Sequence, residues 1–246
     1  TAAGPIAAYA RFSGGRDYHE VLLPRLQALV AWLENEVGHS IAHKCYTDTG
    51  PLLERDLAQR AGLGWIGKNT CLIAPHIGSY FLLSEILLDL PLPPDPPFLP
   101  DRCGSCTRCL EACPTACILP DRTLDAARCI STLTIELKGP IPLDLRPHMG
   151  NWVFGCDVCQ QVCPWNRFAA KEEGGGKREE GGEIVALREE IALTPAEFRR
   201  KYRGSAIQRT KRRGYLRNVA VALGNSRDPA AIPALAAALR DEEPLV

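Results

Sequence analysis

Two runs of closely spaced cysteines are the part of this sequence best suited to chemistry. The first follows the pattern C-x2-C-x2-C-x3-C-P and contains Cys103, Cys106, Cys109 and Cys113. The second lacks the first cysteine of that pattern and contains Cys156, Cys159 and Cys163. This spacing is typical of chains that bind two 4Fe–4S clusters, in which the fourth cysteine of a run binds the other cluster. The sequence therefore predicts two 4Fe–4S clusters.

The crossed pattern assigns a complete ligand set to one cluster and an incomplete set to the other. Cluster one takes Cys103, Cys106, Cys109 and Cys163. Cluster two takes Cys113, Cys156 and Cys159 and needs a fourth thiolate. We predict Cys129, which lies between the runs in a polar, arginine-flanked segment. Cys117 is the alternative, although its position soon after Cys113 favours a short helix with apolar neighbours.

Disulfides and zinc are the two other common uses of cysteine. The chain has 11 cysteines and no sign of an export signal, which favours a reducing compartment and therefore the cytoplasm. Zinc sites use two separated C-x2-C pairs rather than a triple run that ends in Cys-Pro. The most apolar region, 80–92, is interrupted by Glu85 and Asp89, so we expect no membrane-spanning helix.

The chain has 246 residues, enough for more than one domain, and we predict an α+β fold. Residues 1–95 alternate helices and strands and end at a proline-rich linker, which predicts an α/β domain. Residues 96–170 form a ferredoxin-like cluster domain, 171–197 a mobile loop and connector, and 198–246 a basic strip with a helical repeat. Because the sequence starts without methionine and stops inside the repeat pattern, we expect segments to be missing at both ends.

The spacing of apolar residues and the glycines that end helices predict the elements of the first domain. A long amphipathic helix is expected at 18–37 and ends at Gly38; a strand follows at 43–46, then a helix that ends at Gly62. The glycine pattern at 62–67 comes after a helix and before a strand, which is the wrong order for a dinucleotide site. A buried strand is expected at 80–90, and Cys45 and Cys71 are expected to be buried, inert thiols.

Two polar residues of this domain have structural interpretations when they are considered locally. Asp48 lies in the sequence Thr-Asp-Thr-Gly-Pro, which favours a turn or helix-capping role. His19 begins a D-x-H-x-x-G pattern that offers histidine to cobalt in some cobalamin proteins. Leu22 occupies the position of its glycine, so we interpret His19 as structural.

The C-terminal segment combines a basic strip with a helical hairpin. Residues 199–217 contain nine basic and no acidic side chains, whereas the whole chain balances 29 against 29. Such a strip is either a solvated helix face or a surface for a phosphate backbone. The predicted contacts are Arg209, Lys211, Arg212, Arg213 and Arg217. Residues 216–244 are typical of one HEAT repeat, which must pack on another unit because a single repeat cannot bury its own face.

Taken together, these segments resemble the epoxyqueuosine reductase family. The resemblance rests on GRDYH at 15–19, AGLGWIGK at 61–68, RCIS at 128–131, LTIEL at 133–137, GCDVCQ at 155–160, CPWN at 163–166 and the C-terminal repeat. It covers nearly the whole chain. Asn69 stands where the family has a histidine, and Cys117 stands where a small residue is usual.

The resemblance implies a cobalamin held without a histidine from the protein below cobalt, beside two 4Fe–4S clusters. The implied reaction is the two-electron reduction of epoxyqueuosine to queuosine at the wobble position of a tRNA. The family's general acid maps onto Asp48, beside the corrin, and such an acid contributes roughly 10²–10⁴-fold to the rate. Gly67, Lys68, Asn69 and Ser131 are the predicted cobalamin contacts, and the basic strip is the predicted tRNA surface.

Two other functions remain as alternatives. A corrinoid reductive dehalogenase also combines this kind of domain with two clusters, but it has no use for the repeat and the basic strip. A plain two-cluster electron carrier has no use for the α/β domain. We expect a monomer without membrane contact, with electrons supplied by flavodoxin, ferredoxin or a chemical reductant.

Overall fold

The computed structural model describes residues 2–11, 15–168 and 183–246 of the chain. Within these residues the strands are β1 (Ala3–Ile6), β2 (His43–Tyr46), β3 (Trp65–Ile66), β4 (Leu72–Ile73), β5 (Glu85–Leu88) and β6 (Glu183–Ala186). The α-helices are α1 (Tyr18–Val37), α2 (Glu54–Arg60), α3 (Arg108–Ala112), α4 (Ile130–Ile135), α5 (Val158–Gln161), α6 (Leu187–Glu190), α7 (Pro195–Lys201), α8 (Lys211–Ser226) and α9 (Ile232–Ala238). The predicted mixture of helices and strands is confirmed.

The strands of the described residues form three antiparallel pairs rather than one large sheet. β1 pairs with β6, β2 with β5, and β3 with β4. In the first pair, Ala3 lies opposite Ala186 and Ile6 opposite Glu183. Ile6 also forms a parallel bridge with Phe154. The N-terminal strand is therefore held by the segment just before the second cysteine run and by the C-terminal part of the chain.

Helix α1 has the predicted bounds because both of its ends carry capping residues. Asp17 accepts a hydrogen bond from the backbone N–H of His19 at 3.0 Å. Gly38 ends the helix with φ 75°, a left-handed conformation that glycine adopts without a steric cost. Tyr18 and Val30 are buried. Because Tyr18 is the first residue of the helix, its phenol projects from this fixed end toward the residues after β2.

The largest hydrophobic core in the described part of the chain combines distant stretches of the sequence. Ile6 and Ala10 from the N-terminus pack with Val153 and Phe154, which precede the second cysteine run. The C-terminal half of the same core is formed by residues of the segments after β6, namely Leu187, Ile191, Phe198, Tyr202, Ala206, Ile207, Tyr215, Leu216, Val219, Ala222 and Leu223. The predicted boundaries at 95 and 198 therefore do not divide this core.

The helical hairpin of α8 and α9 packs on the rest of the chain, as the sequence predicts. Tyr215, Leu216 and Val219 of α8 are fully buried. Asn218 donates one amide hydrogen to the carbonyl of Thr134 and the other to the carbonyl of Val153, both at 2.8 Å. α8 therefore contacts the segment that joins the two cysteine runs, and α9 lies outside it with Ile232 exposed.

Two expectations about the connecting segments change. The strand expected at 80–90 is limited to β5, whose Leu87 is exposed, because it pairs only with β2 and has no second neighbour among the described strands. The predicted mobile loop at 171–182 lies outside the described residues, whereas 183–197 of the connector contains β6, α6 and the start of α7. Among the described helices, none has both the length and the apolar character that a membrane crossing requires.

Candidate functional site

The four cysteines assigned to cluster one line the same cavity. Cys103, Cys106, Cys109 and Cys163 surround a space of about 360 Å³. The loop that carries the first three turns tightly, since the N–H of Cys106 donates to the carbonyl of Cys103 at 3.1 Å. Trp65 donates its indole N–H toward Cys103 Sγ at 3.4 Å. The arrangement is that of thiolates gathered around a compact group, and their role as cluster-one ligands stays a prediction.

The cysteines assigned to cluster two lie together with two additional thiols. Cys117 is buried, and its Sγ lies 3.4 Å from that of Cys113. Cys117 also forms a hydrogen bond with Cys129. Cys71 forms a hydrogen bond with Cys159. Cys71, which was expected to be a buried, inert thiol, is partly exposed, and the segment before β4 brings it against a predicted ligand.

The electrostatics of these thiols favour Cys113 and Cys129 as the anionic members. The hydrogen bond from Cys117 lowers the pKa of Cys113 to about 5 and that of Cys129 to about 6. The same hydrogen bonds raise the pKa of Cys117, which keeps its proton. Cys129 is also the residue before α4, where backbone N–H groups stabilise a thiolate. The choice of Cys129 over Cys117 as fourth ligand stays a prediction.

In the parts of the chain that the structure describes, no three His, Cys, Asp or Glu side chains converge as ligands of one metal ion do. A 4Fe–4S cluster binds each of its cysteines through a different iron, so its ligands stand further apart than those of a single ion.

Asp48 is held by side chains from three other parts of the chain. The Tyr18 hydroxyl donates to Asp48 Oδ2 at 2.6 Å. Arg209 places Nη1 3.6 Å from the same oxygen, and its Nη2 donates to the Tyr18 hydroxyl oxygen at 3.3 Å. The Asp48 backbone N–H donates to Glu54 Oε1. Asp48 is not the N-cap of α2, which is Leu53, so the capping interpretation is wrong.

The backbone of Asp48 also departs from ordinary geometry. Its φ is 58°, a left-handed conformation that costs a non-glycine residue energy and persists where the surroundings impose it. Its side chain is 54% exposed, although Oδ2 is committed to Tyr18. No described residue forms a hydrogen bond with Oδ1. The carboxyl group therefore has one oxygen that is oriented by the protein and one that faces the solvent side.

The buried Tyr18 and the half-buried Tyr9 support this carboxylate. Burial raises the pKa of both Tyr18 and Tyr9, so both phenols keep their protons at neutral pH. The two rings meet edge to face with centroids 6.1 Å apart. Tyr18 therefore acts as a hydrogen-bond donor toward Asp48. The sequence offered no signal for this group, because Tyr18 stands 30 residues from Asp48.

His19 lies next to this group and packs against it. Its ring stacks on Tyr18 with centroids 4.1 Å apart, and Nδ1 lies 2.6 Å from Asp17 Oδ1. Nε2 is buried and forms no hydrogen bond with the described residues. These contacts give His19 a role in holding the Tyr18 ring, which accords with the structural interpretation of the sequence.

The four residues predicted to contact cobalamin have different surroundings. Lys68 donates to the carbonyls of Gly104 at 2.7 Å and Cys106 at 3.0 Å, so it fastens the cluster-one loop. A Cβ on Gly67 would lie 2.5 Å from Ile73 Cδ1, so packing within the protein explains this glycine. Ser131 lies in the first turn of α4 and directs its backbone N–H at Cys129.

Asn69 is the one of the four with an unsatisfied polar atom. It is buried, lines the cluster-one cavity, and uses Oδ1 to accept from the N–H of Cys71 at 3.2 Å. Its Nδ2 is buried and forms no hydrogen bond with any described residue. A buried amide donor without a partner is rare in native proteins, so Asn69 is suited to a polar ligand.

The basic strip is divided into structural and exposed members. Arg209 is occupied by Asp48 and by Glu136, whose Oε1 lies 3.8 Å from Nη1. Arg212 pairs with Asp241 and donates to the carbonyl of Leu193 at 2.7 Å. Lys211 and Arg213 are exposed. Of the five predicted contacts, the strip therefore offers two exposed cations to a partner.

Arg217 corrects the prediction of a tRNA contact. It is only 4% exposed, and its guanidinium donates to the carbonyls of Leu133, Leu137 and Gly139 at 2.6–2.8 Å. These bonds tie α8 to the end of α4. A guanidinium with this many buried acceptors has no route to a phosphate, so Arg217 is a structural residue.

Family models match three segments of the chain. The model described as 4Fe-4S double cluster binding domain matches residues 102–166. The model described as Epoxyqueuosine reductase QueG, DUF1730 matches residues 1–49, and the PBS lyase HEAT-like repeat matches residues 216–241. The double-cluster segment and the HEAT-like repeat predicted from the sequence are confirmed.

Curated relatives resemble the chain over most of its length. The epoxyqueuosine reductase of Xanthomonas campestris is 48% identical over 224 residues, which are 91% of this chain and 62% of that protein. The epoxyqueuosine reductase of Cyclobacterium marinum is 44% identical over 213 residues, which are 85% of this chain and 67% of that protein. The chain thus spans about three fifths to two thirds of the length of these relatives.

Solved structures share the fold. A crystal structure of epoxyqueuosine reductase with an epoxyqueuosine-modified stem loop of tyrosine tRNA is 36% identical, with a TM-score of 0.85 over 97% of this chain and 62% of that one. The Bacillus subtilis epoxyqueuosine reductase, solved with an aspartate-bearing catalytic loop swung out of the active site, is 34% identical with a TM-score of 0.83. It matches 97% of this chain and 62% of that one.

Proposed function

The chain belongs to the epoxyqueuosine reductase family, and we propose that it reduces epoxyqueuosine to queuosine at the wobble position of a tRNA. The observation that carries the proposal is the position of the Asp48 carboxyl group. The segments that bear the predicted cluster-two ligands also supply Glu136, which contacts the arginine that holds Asp48. An acid beside an electron relay is what reductive opening of an epoxide needs.

The overall reaction consumes two electrons and two protons. Both carbon–oxygen bonds of the epoxide break, a carbon–carbon double bond forms, and the oxygen leaves as water. Asp48 is the proposed proton donor to that oxygen. Because Tyr18 holds Oδ2, the proton is carried by Oδ1, the oxygen that has no partner among the described residues. The similar Bacillus subtilis enzyme has its catalytic aspartate on a loop, and Asp48 lies on the loop between β2 and α2.

Arg209 and Tyr18 are the proposed positioning residues for this acid. Tyr18 keeps its proton because burial raises its pKa, so it donates to Asp48 throughout the reaction. Arg209 bridges Asp48 and Glu136 and stabilises the carboxylate that remains after proton transfer. The left-handed backbone of Asp48 allows the loop to present its side chain outward while Glu54 holds its N–H.

Cobalamin is the cofactor that the family implies, and the residues around Asp48 fit it. When bound, its cobalt supplies a strongly reducing centre for the carbon–oxygen bonds. Leu53 and Leu57, which follow Asp48, are 76% and 38% exposed and would hold the group by apolar contact. Asn69, whose amide N–H has no partner among the described residues, would donate a hydrogen bond to it. Gly67, Lys68 and Ser131 are weaker proposals, because their contacts are explained within the protein.

The proposed electron path uses both clusters. Each 4Fe–4S cluster carries one electron at a time, so two transfers serve each epoxide. Cys113, Cys129, Cys156 and Cys159 are the proposed ligands of cluster two, and Cys103, Cys106, Cys109 and Cys163 those of cluster one. The double-cluster family match supports the presence of two clusters in this segment. Action in the cytoplasm as a monomer stays a prediction.

The proposed tRNA surface centres on Lys211 and Arg213. Both lie at the start of α8 and are exposed. Arg209 belongs to the preceding turn and touches Asp48, so this surface adjoins the proposed acid. The similar structure that holds a tRNA stem loop supports a nucleic-acid substrate.

Anaerobic reconstitution tests the proposal. The protein is loaded with iron, sulfide and cobalamin, given a low-potential reductant and a tRNA that carries epoxyqueuosine, and the nucleosides are identified by mass. Queuosine at the wobble position is the expected product. Two full clusters and bound cobalamin without any queuosine would contradict the proposed substrate. Clusters without cobalamin uptake would favour the alternative function, a plain two-cluster electron carrier.

A further inference from the structure

The cluster-one loop is the part of the relay that faces outward. A second cavity, about 650 Å³, adjoins the first and shares with it Cys103, Cys106, Arg108, Pro164 and Arg167. The remaining lining of this second cavity comes from Gly104, Ser105 and Thr107, all of which are exposed. Cys103 and Cys106, two of the four cysteines assigned to cluster one, are therefore reached from the surface.

The cluster-two segments are linked to the proposed acid by a chain of contacts. Asp157, next to Cys156, is buried and accepts from the N–H of Ala8 at 2.6 Å. Tyr9, which follows Ala8 in the chain, packs against Tyr18, and Tyr18 holds Asp48. Electrons that are used beside Asp48 thus leave from cluster two. The outward position of cluster one makes it the natural acceptor from an external donor.

A set of cations surrounds the outward-facing loop. The two cavities are lined by Lys68, Arg102, Arg108 and Arg167, and no carboxylate is among the described residues that line them. Arg102 is held over the rings of Phe98 and Trp165, 5.5 and 6.0 Å from their centroids. The whole chain has equal numbers of basic and acidic residues, so this surface is locally enriched in positive charge.

We propose that the Arg102–Arg108–Arg167 surface docks an acidic one-electron carrier protein, and that its electrons pass first to cluster one. The inference rests on the proposed function and specifies where its donor binds. In each encounter the reduced carrier loses one electron and cluster one gains one. Two encounters supply the two electrons that leave with the epoxide oxygen as water, the protons coming from Asp48 and solvent.

A simpler role for these cations is to neutralise the charge of the cluster itself. Lys68 fits that role, because its ammonium is bound to two carbonyls of the loop. Arg108 and Arg167 are exposed, so their guanidinium groups lie at the protein surface. Complementary charges raise the association rate of two proteins and make it sensitive to salt, whereas neutralising the cluster affects its reduction by any donor.

The test measures cluster reduction in the absence of tRNA. Reconstituted protein is mixed with reduced flavodoxin, an acidic carrier, and the loss of cluster absorbance is followed by stopped flow at several salt concentrations. For the double variant Arg108→Glu/Arg167→Glu we expect the second-order rate constant to fall at least roughly tenfold at low salt, with little remaining salt dependence. Reduced methyl viologen, a small cation, should reduce this variant at least as fast as the wild type.

A matched control carries the same change of charge at exposed sites elsewhere. Arg25→Glu/Arg240→Glu should leave the rate of reduction by flavodoxin within about twofold of the wild type. These substitutions change the electrostatic field only at a distance from the proposed docking surface. Iron content and circular dichroism check that every variant is folded and loaded. Equal slowing in both double variants would overturn the proposal, since it would show an effect of net charge alone.

Two other results would also overturn it. Slow reduction of Arg108→Glu/Arg167→Glu by methyl viologen would show that these arginines serve the cluster rather than a partner. An unchanged flavodoxin rate together with weaker tRNA binding would assign the surface to nucleic acid. Because cluster reduction is measured without tRNA, a chain that is inactive on epoxyqueuosine still gives a decisive result for the docking surface.

Discussion

At the scale of the residue, the chemistry proposed for this chain depends on how one carboxyl group is held. Asp48 receives a hydrogen bond from Tyr18, lies near Arg209 and adopts a left-handed backbone conformation. Together these features orient one carboxyl oxygen and leave the other available to a substrate. Without them, the same residue would be an ordinary turn aspartate.

Replacement of Asp48 by Asn removes the acid and keeps the shape of the side chain. We expect turnover of epoxyqueuosine tRNA to fall about 10²–10⁴-fold, because general acid catalysis contributes that much. Iron content, cobalamin loading and tRNA affinity should be those of the wild type. The measurement is single-turnover queuosine formation, and a variant with full activity would remove Asp48 from the mechanism.

Tyr18→Phe is the matched variant for the positioning role. It removes the 2.6 Å hydrogen bond and keeps the ring that packs on Tyr9 and His19. A smaller reduction of activity is expected, in kcat rather than in KM, because the acid remains but is less well oriented. An effect that appears only in KM would indicate a role in substrate binding instead.

Glu85 gives this region a pH-dependent stability. Burial, and then repulsion from Glu54, raise the pKa of Glu85 to about 7 from the usual 4.5. Between about pH 4.5 and 7, Glu85 is therefore protonated in the folded protein and ionised in the unfolded chain. The contribution of Glu85 to the free energy of unfolding has its full value below pH 4.5 and is lost as the pH rises through 7.

Glu85→Gln removes this dependence. We expect the free energy of unfolding of the wild type to fall relative to that of the variant between about pH 5 and pH 8, because only the wild type must ionise in the folded state. Urea unfolding followed by circular dichroism at each pH is the measurement. Glu36→Gln, at an exposed position of α1, is the control and should follow the wild type. Parallel curves for all three proteins would contradict the assignment.

At the scale of the element, the start of α4 carries the proposed fourth ligand of cluster two. Cys129 precedes the first residue of the helix, where backbone N–H groups favour a thiolate, and Cys117 lies buried against both Cys113 and Cys129. Cys129 is thus available as a ligand, and the neighbouring Cys117 is available as a hydrogen-bond donor. Hydrogen bonds to cluster sulfurs are one of the influences that set cluster potentials.

The two cysteines are distinguished by iron content. Cys129→Ala should lose one cluster and retain the other, so that iron and sulfide fall by half after reconstitution. Cys117→Ala should retain both clusters and change only the reduction potential of cluster two, measured by a titration monitored with electron paramagnetic resonance. The reverse result, a reduced iron content in Cys117→Ala alone, would make Cys117 the ligand.

Helix α8 carries part of the predicted basic strip, and yet much of it is buried in the core. Arg217 donates to three carbonyls at the end of α4, and Asn218 donates to two more. Burial lowers the pKa of Arg217 to about 10, so it is charged at neutral pH and its hydrogen bonds are charge-assisted. The repeat is fastened to the cluster segment through these polar contacts as well as through Tyr215 and Leu216.

Arg217→Ala should therefore destabilise the fold. One buried carbonyl and two partly buried ones lose their donor, and a buried unsatisfied acceptor costs about 1–3 kcal/mol, so the total is on the order of 2 kcal/mol or more. Thermal unfolding of the apoprotein is the measurement. Arg213→Ala, in the same helix but exposed, is the control and should change stability by less than about 0.5 kcal/mol. Similar melting temperatures for the two variants would contradict the structural role of Arg217.

At the scale of the whole molecule, charge is divided between two functions. One basic surface surrounds the outward-facing cluster loop, and the other, Lys211 with Arg213, adjoins the Asp48 group through Arg209. A substrate bound at the second surface reaches the proposed acid, while a carrier bound at the first reaches cluster one. The two macromolecules are thus proposed to bind different sets of basic residues.

Salt dependence tests the assignment of the tRNA surface. Lys211→Ala/Arg213→Ala should weaken tRNA binding and make the plot of log Kd against log salt less steep, by about 0.7–0.9 for each phosphate that these cations no longer neutralise. Filter binding between roughly 50 and 300 mM salt is suitable. Arg25→Ala/Arg240→Ala provides the control with the same decrease in positive charge. Identical slopes for the two double variants and the wild type would place the tRNA elsewhere.

Local patterns in the sequence were sufficient for several features. The cysteine spacing predicted a double-cluster segment, and the bounds of α1 followed from apolar periodicity and a terminal glycine. The C-terminal hairpin was also predicted, together with its need for a packing partner. These features are encoded by residues within a few positions of one another, where a helix or a tight loop imposes fixed distances.

Only the tertiary structure decided which distant residues meet. Tyr18 and Arg209, which hold Asp48, are 191 residues apart in the sequence, and Cys71 reaches a ligand of the second cysteine run. Arg217 resembles its basic neighbours in the sequence, but the packing of α8 buries it. Periodicity determines which face of an element is apolar, yet it contains no information about the partner that covers this face. The partner is selected by packing of the whole chain, and that selection formed the site.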